Sequence, residues 1–584
     1  MTKSKKFILF FFAIFIFIFC KNGKAQGNWI ALTNNAPHGN AGVMLLLTDG
    51  SVIAVTDSLA PGAGNYWDKL TPDNTGSYVN GTWTTIAPMH YSRYALSSQV
   101  LQDGRVYIAG AEVGTGAAKA EIYNPVTNAW TTIVNPQNLR FEEANSMLLP
   151  DGKLLQALTN WDYPTSCYIF DPLTETFSLS DSSHLGSTVE ASWVLLPDNS
   201  ILMVDYASTI TERYIPSLNI WKADAPVPAN AEFYGNSVEM GAGFMLPDGR
   251  AFILGASGHT AFYTPSGDTA NGTWVVGPDI PDTLGTLDAP ASMMIDGKIL
   301  FAASPLPYPQ NNYYPFNPPT YFYEFDYLTN AFSRTTAPGG LDSLNQASEI
   351  SHLLNLPDGT VLYSQDSSAA YYVYTPSGTP VVSGKPTINS IIQNNCNLFS
   401  LTGTLFNGIS QGAAFGDDWQ MATNYPIVRL STGNNVYYAR TYNWNRTGIQ
   451  TGTLADTTQF TLPVNVPSGS YSLAVIANGI SSDTTTFQYT ACTVGVNDNS
   501  NNNTVTVSPN PFSSYTTIAF NTEQNGTVII VVDILGEEII KSTIKGNEYL
   551  LDMSNYARGI YFVEIIYSDK NSISYSINKK IVVQ

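Results

Sequence analysis

Residues 146–158 read SMLLPDGKLLQAL: an apolar run, a Pro-Asp-Gly turn, a second apolar run. Nearly the same phrase recurs as WVLLPDNSILMV (193–204), GFMLPDGRAFIL (243–254) and LLNLPDGTVLYS (353–364). The Asp of the turn falls at Asp49, Asp103, Asp151, Asp198, Asp248, Asp296 and Asp358, with spacings of 54, 48, 47, 50, 48 and 62 residues. A period near 50 is the mark of a propeller or an array of β units. The Asp-Gly pair suits a tight hairpin, because Gly accepts positive φ.

Each unit continues with the same grammar. After the hairpin comes a third, aromatic strand (EIYNP, YIFDP, RYIPS, AFYTP, YEFDY, YVYTP), then a strand carrying Trp or Phe (NAWTTI, ETFSLS, NIWKAD, GTWVVG, NAFSRT). Four short strands make one propeller blade. The seventh unit lacks its last strand, and an orphan of that kind, GNWIALT, lies before the first turn. The economical expectation is that residues 29–33 complete blade seven and cover two open edges.

This Asp-Gly, Tyr-x-Pro, Trp grammar resembles kelch repeats. A propeller followed by a further β-domain resembles the galactose oxidase and glyoxal oxidase superfamily, over roughly 26–492. At 385–493 the repeat gives way to alternating strands (YPIVRLS, VYYARTY, SYSLAVIAN, TTFQYTAC), similar to the immunoglobulin-like domain of those oxidases. Residues 494–504 are an Asn-rich linker with nothing to bury. The tail, 505–584, with VSPNPFSSYTTIAF, ARGIYFVEI and KKIVVQ, resembles the C-terminal sorting domain of Bacteroidetes type IX secretion. The expected fold is therefore all-β: a seven-bladed propeller (26–384), an immunoglobulin-like sandwich and a small β-sandwich sorting domain.

The first 25 residues read as a signal peptide: basic MTKSKK, apolar FILFFFAIFIFIFC, then small residues ending at Ala25. The apolar run is short for a membrane span, and Phe19 stands where lipidation at Cys20 wants a small residue. With formal charge −20, and five Lys but no acid in the leader, the exported chain carries about −25. Such a surface repels nucleic acid and anionic membranes. Cys396 and Cys492 bracket the sandwich and are expected to pair, leaving Cys167 as a buried free thiol. The expected destination is the extracellular space or the outer-membrane surface, as a monomer delivered by the type IX machinery.

The oxidase resemblance implies one copper ion held by two Tyr and two His, with one Tyr cross-linked to Cys. Carried over by register, the first Tyr falls at Ala95, one place from Tyr94, and the Cys near Ala41. The Tyr-His pair falls at Glu349 and Ile350, with His352 two places late. The last His falls at Thr441 or Tyr442 of YARTYNWN. None of these positions keeps its ligand, and the five His form no paired metal motif. Copper is therefore not expected.

The same register shows acids instead. Eight or nine residues before the turn Asp stand Glu143, Glu190, Glu239, Asp288 and Glu349, while the first two blades offer His38, Arg93 and Tyr94. Carboxylates at strand starts are often ordinary surface groups. Converging at a channel rim, they would bind sugar hydroxyls, hold Ca²⁺, or raise one another's pKa for acid/base work. Asp417 and Asp418, in the Gly-flanked stretch GAAFGDDWQMATNYP, are a weaker calcium candidate; the stretch reads as a domain-interface loop, and the oxidase resemblance offers the alternative that it reaches the channel. The leading expectation is a binding module for extracellular carbohydrate or another extracellular ligand, with no catalytic residues assigned. The alternatives are a diverged oxidoreductase or carboxylate-dependent glycan-active enzyme, and a scaffold for protein contacts.

Overall fold

The computed structural model describes residues 27–491 and 505–584, except 40, 57–62, 136–138, 160–165, 189, 206–207, 229–232, 235–237, 308–315, 416–418, 535 and 569–573. The chain divides into two compact units, Met1–Ala491 and Cys492–Gln584.

Among the described residues, seven antiparallel units of four strands follow one another along the chain, and the innermost strand of the last lies beside that of the first. Their innermost strands are Ala41–Leu46, Ser97–Val100, Ser146–Leu148, Ser192–Leu195, Gly243–Met245, Pro290–Met293 and Ser351–Asn355. The repeated phrase is the hairpin from each innermost strand to the next. In all seven, the turn carboxylate accepts the N–H two residues on: Ser51, Arg105, Lys153, Ser200, Arg250, Lys298 and Thr360. The residue after the Asp has φ between 66° and 88°, Gly in six units and Asn199 in one. Asp therefore supplies a side-chain acceptor to the turn, and Gly tolerates the left-handed backbone.

Blade seven is completed from the far end of the chain. Asn28–Ala31 pairs antiparallel with Tyr372–Thr375 in the register Trp29↔Tyr374. Trp29 then does what the outer tryptophans of other blades do. Its indole N–H donates to Thr336 O at the end of blade six, as Trp130 does to Ala87 O and Trp274 to Ala225 O. Trp83 of blade one closes the circle by donating to Asn34 O, just beyond the closing strand. The Trp29 ring is 8% exposed, edge-on to Phe322 and Tyr363. Burying an apolar side chain of this size contributes roughly 3 kcal/mol.

The loops entering three blades are clamped by buried acids of the third strand. Asp68 accepts His38 N–H at 3.0 Å, Glu121 accepts His90 N–H at 2.9 Å, and Glu212 accepts the N–H groups of His184, Leu185 and Gly186 at about 3.0 Å. A buried carboxylate taking several N–H bonds satisfies itself and fixes the loop.

The sandwich is built around Phe399, Leu401, Phe460, Val428, Leu473 and Val475. Its strand Asn435–Tyr442 pairs with Ile427–Thr432 through its first half and with Asp456–Thr461 through its end, joining the two sheets. The domain packs on the Asp-turn face of the ring, with Thr441 N–H on Thr48 O and Gln102 donating to Trp444 O. Cys396 is disulfide-bonded, and its expected partner Cys492 lies outside the described residues. Cys167 is a buried free thiol, its pKa driven up by burial.

The C-terminal unit is a five-stranded antiparallel sheet of Val505–Ser508, Tyr515–Val532, Glu538–Asp552, Gly559–Ser568 and Ser574–Val583. Ile518, Ile529, Val531, Val563, Ile565 and Ile581 form its core.

Candidate functional site

The channel is filled by the sandwich domain. Ala413–Phe415 adds to the innermost strand of blade six in the register Pro290↔Phe415, Ala291↔Ala414, Ser292↔Ala413, and then pairs back with Trp419–Gln420. The flanking residues bond to blade after blade: Gln411 Oε1 accepts Leu195 N–H, Thr423 donates to Asn355 Oδ1 at 2.6 Å, and Tyr425 donates to Leu46 O. The stretch YARTYNWN, expected from the resemblance to serve the channel, lies against the turns of blades one and two instead, and Thr441 is buried there with its hydroxyl on Pro426 O. The physical reason is length: 405–426 is a long connection that can form a hairpin, whereas Asn435–Tyr442 is committed to both sheets. Asp417 and Asp418 lie outside the described residues.

On the face opposite the Asp turns, the residues just before the innermost strands adopt a shared conformation. Ala95, Glu143, Glu190 and Asp288 have φ of 46°, 44°, 52° and 42°. Left-handed backbone costs a residue with Cβ about 1–2 kcal/mol, and the ring fixes it by linking neighbours: Glu190 N–H donates to Glu143 O at 3.4 Å. Glu143, Glu190 and Asp288 are partly accessible. Glu349 sits in the 3-10 turn Ser348–Ile350 and is 8% exposed. Glu239 is in the short strand Val238–Glu239, paired with Phe233–Tyr234, so blade five departs from the pattern.

Arg93 is corrected from a rim group to a buried one. It is 1% exposed, its Nη1 donates to the carbonyls of Gly110, Gly116 and Lys119, and its Nη2 meets Glu121 Oε2 at 2.9 Å. A guanidinium buried and held in this way fixes a loop, and its burial keeps its remaining donors from a ligand at the rim. His38 is exposed, and its Nδ1 lies 2.9 Å from Asp68 Oδ1 while its ring stacks on Tyr66.

Tyr94 does enter a polar constellation. Its hydroxyl donates to Asp366 Oδ2 at 3.2 Å, and Asp366 Oδ1 is 2.7 Å from Nε2 of the fully buried His352. Tyr94 comes from the short strand before blade two, and His352 and Asp366 from blade seven. Tyr371, buried nearby, has its hydroxyl pKa pushed up by burial and by the carboxylates of Asp68 and Asp366. Sequence reasoning missed Asp366 as well as the loop-clamping Asp68, Glu121 and Glu212. The available signal for the clamps was an acid near the start of an otherwise apolar third strand. Among the described residues no three His, Cys, Asp or Glu side chains gather to hold a metal ion.

Residues 506–584 match the family described as secretion system C-terminal sorting domain. The chain is thus exported by type IX secretion to the cell surface or beyond. Among the described residues, no helix is long and apolar enough to cross a membrane. No curated protein matches the chain. Among solved structures, a fungal alcohol oxidase of the AA5 family in complex with copper is similar at 16% identity, covering 80% of this chain and 100% of that one, with a TM-score of 0.46. YCF48 bound to D1 peptide is similar at 12% identity, covering 60% and 96%, with a TM-score of 0.36. The all-β propeller itself stands on the strand pairing described above.

Proposed function

We propose that this is an extracellular kelch-type propeller protein that binds a polyhydroxylated ligand, carbohydrate above all, at the rim opposite its Asp turns. The signal peptide would end at Ala25, the propeller at 384 and the sandwich at 493, with the tail from 505 removed or used for surface attachment. The observation carrying the reading is the repeated register at which Glu143, Glu190 and Asp288 are held in left-handed backbone and left partly accessible. Carboxylates fixed in this way suit pairs of sugar hydroxyls, which donate hydrogen bonds without bringing charge. Calcium bridging ligand and carboxylates is compatible with the same groups.

The residues in the copper register argue against radical oxidation: Ala95, Glu349 and Ile350 offer no phenolate or imidazole there, and Nε2 of His352 is taken by Asp366. A second reading, carboxylate-dependent catalysis on the same glycans, is favoured by the Tyr94–Asp366–His352 chain. The test is retention of the full chain on immobilised polysaccharides, with and without calcium, beside the Glu143→Gln, Glu190→Gln double variant. Retention that falls at least tenfold in the variant supports the rim; retention unchanged by it removes the rim from the account. Release of reducing ends during the assay would move the protein to the catalytic reading.

A further inference from the structure

A second cleft lies on the other face of the ring, where blade one meets the sandwich. It has a volume of about 460 Å³ and is lined from blade one by Asp49, Lys69 and Asn74, and from the sandwich by Asn435, Arg440 and Asn465, among others. Tyr438, one of its lining residues, packs closely on the backbone of the neighbouring turn. A Cβ on Gly50 would stand 2.6 Å from Cγ of Tyr438, and Tyr78 donates its hydroxyl to Gly50 O.

The charges in this cleft cancel and are already engaged. Lys69 Nζ meets Asp49 Oδ2 at 3.0 Å. The Asp73 carboxylate holds its own turn through Thr75 and Ser77. Arg440 donates to Asp103 O at 2.7 Å and lies over the Tyr442 ring. With two acids and two bases on the walls, no net field draws an ion inward. Three primary amides remain: the side chains of Asn74, Asn435 and Asn465 are exposed. No other residue takes up their donors and acceptors among the described residues. Each offers two donors and an acceptor, which matches the paired donor and acceptor of adjacent sugar hydroxyls. Clefts of this size at a domain junction are common ligand sites.

We infer that the cleft between blade one and the sandwich is a separate binding site for a neutral oligosaccharide, read by amides from both domains. It does not rest on the acidic rim, which lies at the opposite ends of the innermost strands.

The test is calorimetric titration of the full chain with neutral hexasaccharides (cello-, xylo-, manno-, laminari- and malto-series) and with oligogalacturonate as the anionic comparison. At least one neutral series should bind. The Asn74→Ala, Asn435→Ala double variant should lose at least tenfold in affinity, with an unchanged melting temperature. The Glu143→Gln, Glu190→Gln variant should keep the component of binding that the amide variant removes, whatever it loses at the rim. No neutral binding, binding of oligogalacturonate alone, or affinity unmoved by the amide variant would overturn the inference. Equal loss in both variants would overturn it too, because the cleft would then not be a separate site. Filling the cleft with Asn465→Trp gives an independent check: it should abolish the same binding.

Discussion

The Tyr94 hydroxyl and the Asp366 carboxylate, 272 positions apart in the chain, meet at 3.2 Å and tie the entrance of blade two to blade seven across blade one. The other oxygen of Asp366 faces His352 at 2.7 Å, and His352 is wholly buried. Removing the carboxylate leaves a buried imidazole without its acceptor, and that cost exceeds the net value of the hydrogen bond itself. Asp366→Ala should lower the unfolding free energy by about 3 kcal/mol, and Tyr94→Phe by about 1 kcal/mol. Differential scanning calorimetry orders the two. A Tyr94→Phe effect as large as that of Asp366→Ala would mean the phenol, not the carboxylate, organises the cluster.

The proposed rim site sets stability against binding. Glu143 and Glu190 hold φ of 44° and 52°, where glycine sits without penalty. Glu143→Gly should raise stability by about 1 kcal/mol while weakening ligand retention. Glu143→Gln should weaken retention with stability unchanged. Thermal melts beside the polysaccharide assay separate these effects, and a destabilising Glu143→Gly would show that the carboxylate, rather than the ligand, is what the backbone strain serves.

The channel hairpin depends on one glycine. Gly412 has φ of 103°, and a Cβ there would stand 2.1 Å from Thr423 Oγ1 and 2.9 Å from Asn355 Oδ1. Both are fixed partners of each other, so neither can yield cheaply. Gly412→Ala should cost about 3 kcal/mol and open the 405–426 segment to protease. Limited proteolysis followed by mass spectrometry reads this directly; cleavage confined to the linker at 494–504 would count against it.

Asp456 gives a pH signature. Burial raises its pKa above 3.8, outweighing the lowering by its hydrogen bond from Phe406 N–H and by Arg446. The unfolded chain therefore releases this proton at lower pH than the native protein does. Stability is undiminished below about 3.8 and falls as pH rises from there through the native pKa. Asp456→Asn keeps an acceptor for Phe406 and removes the titration. Its stability relative to the parent should climb from pH 3.5 to pH 7 in urea denaturation; a difference independent of pH would contradict the assignment.

Much of the ring was legible because its determinants are local. Asp followed directly by Gly makes its own turn, and a Trp flanked by polar residues reads as an outer strand wherever it occurs. Even the closing strand could be placed, since an unmatched Trp29 at one end and a missing strand at the other leave one economical pairing. The site was less legible because its determinants are not local. Arg93 reads as an exposed base until the four oxygen acceptors around it are assembled from Gly110 to Glu121. Asp366 follows an ordinary strand and gains meaning only when blade two arrives. The left-handed backbone at Glu143 and Glu190 is imposed by neighbouring blades against the residue's own preference, so no propensity signals it. The stretch around Asp417 stood out in the sequence, as a loop at the domain interface or one reaching the channel, but the register of Phe415 on Pro290 belongs to the assembled ring.

The strand that closes blade seven also fixes when the ring can exist. Asn28–Ala31 precedes every other strand of the ring, yet its partner ends at Thr375. Until the chain has been made as far as Thr375, this strand lacks the partner it pairs with in the ring. Contacts spanning almost 350 residues are paid for in search time before they return any stability. Ring closure is therefore the most non-local step of folding: the hairpins of the blades between these two strands can form from local contacts first, and the edge strand joins last.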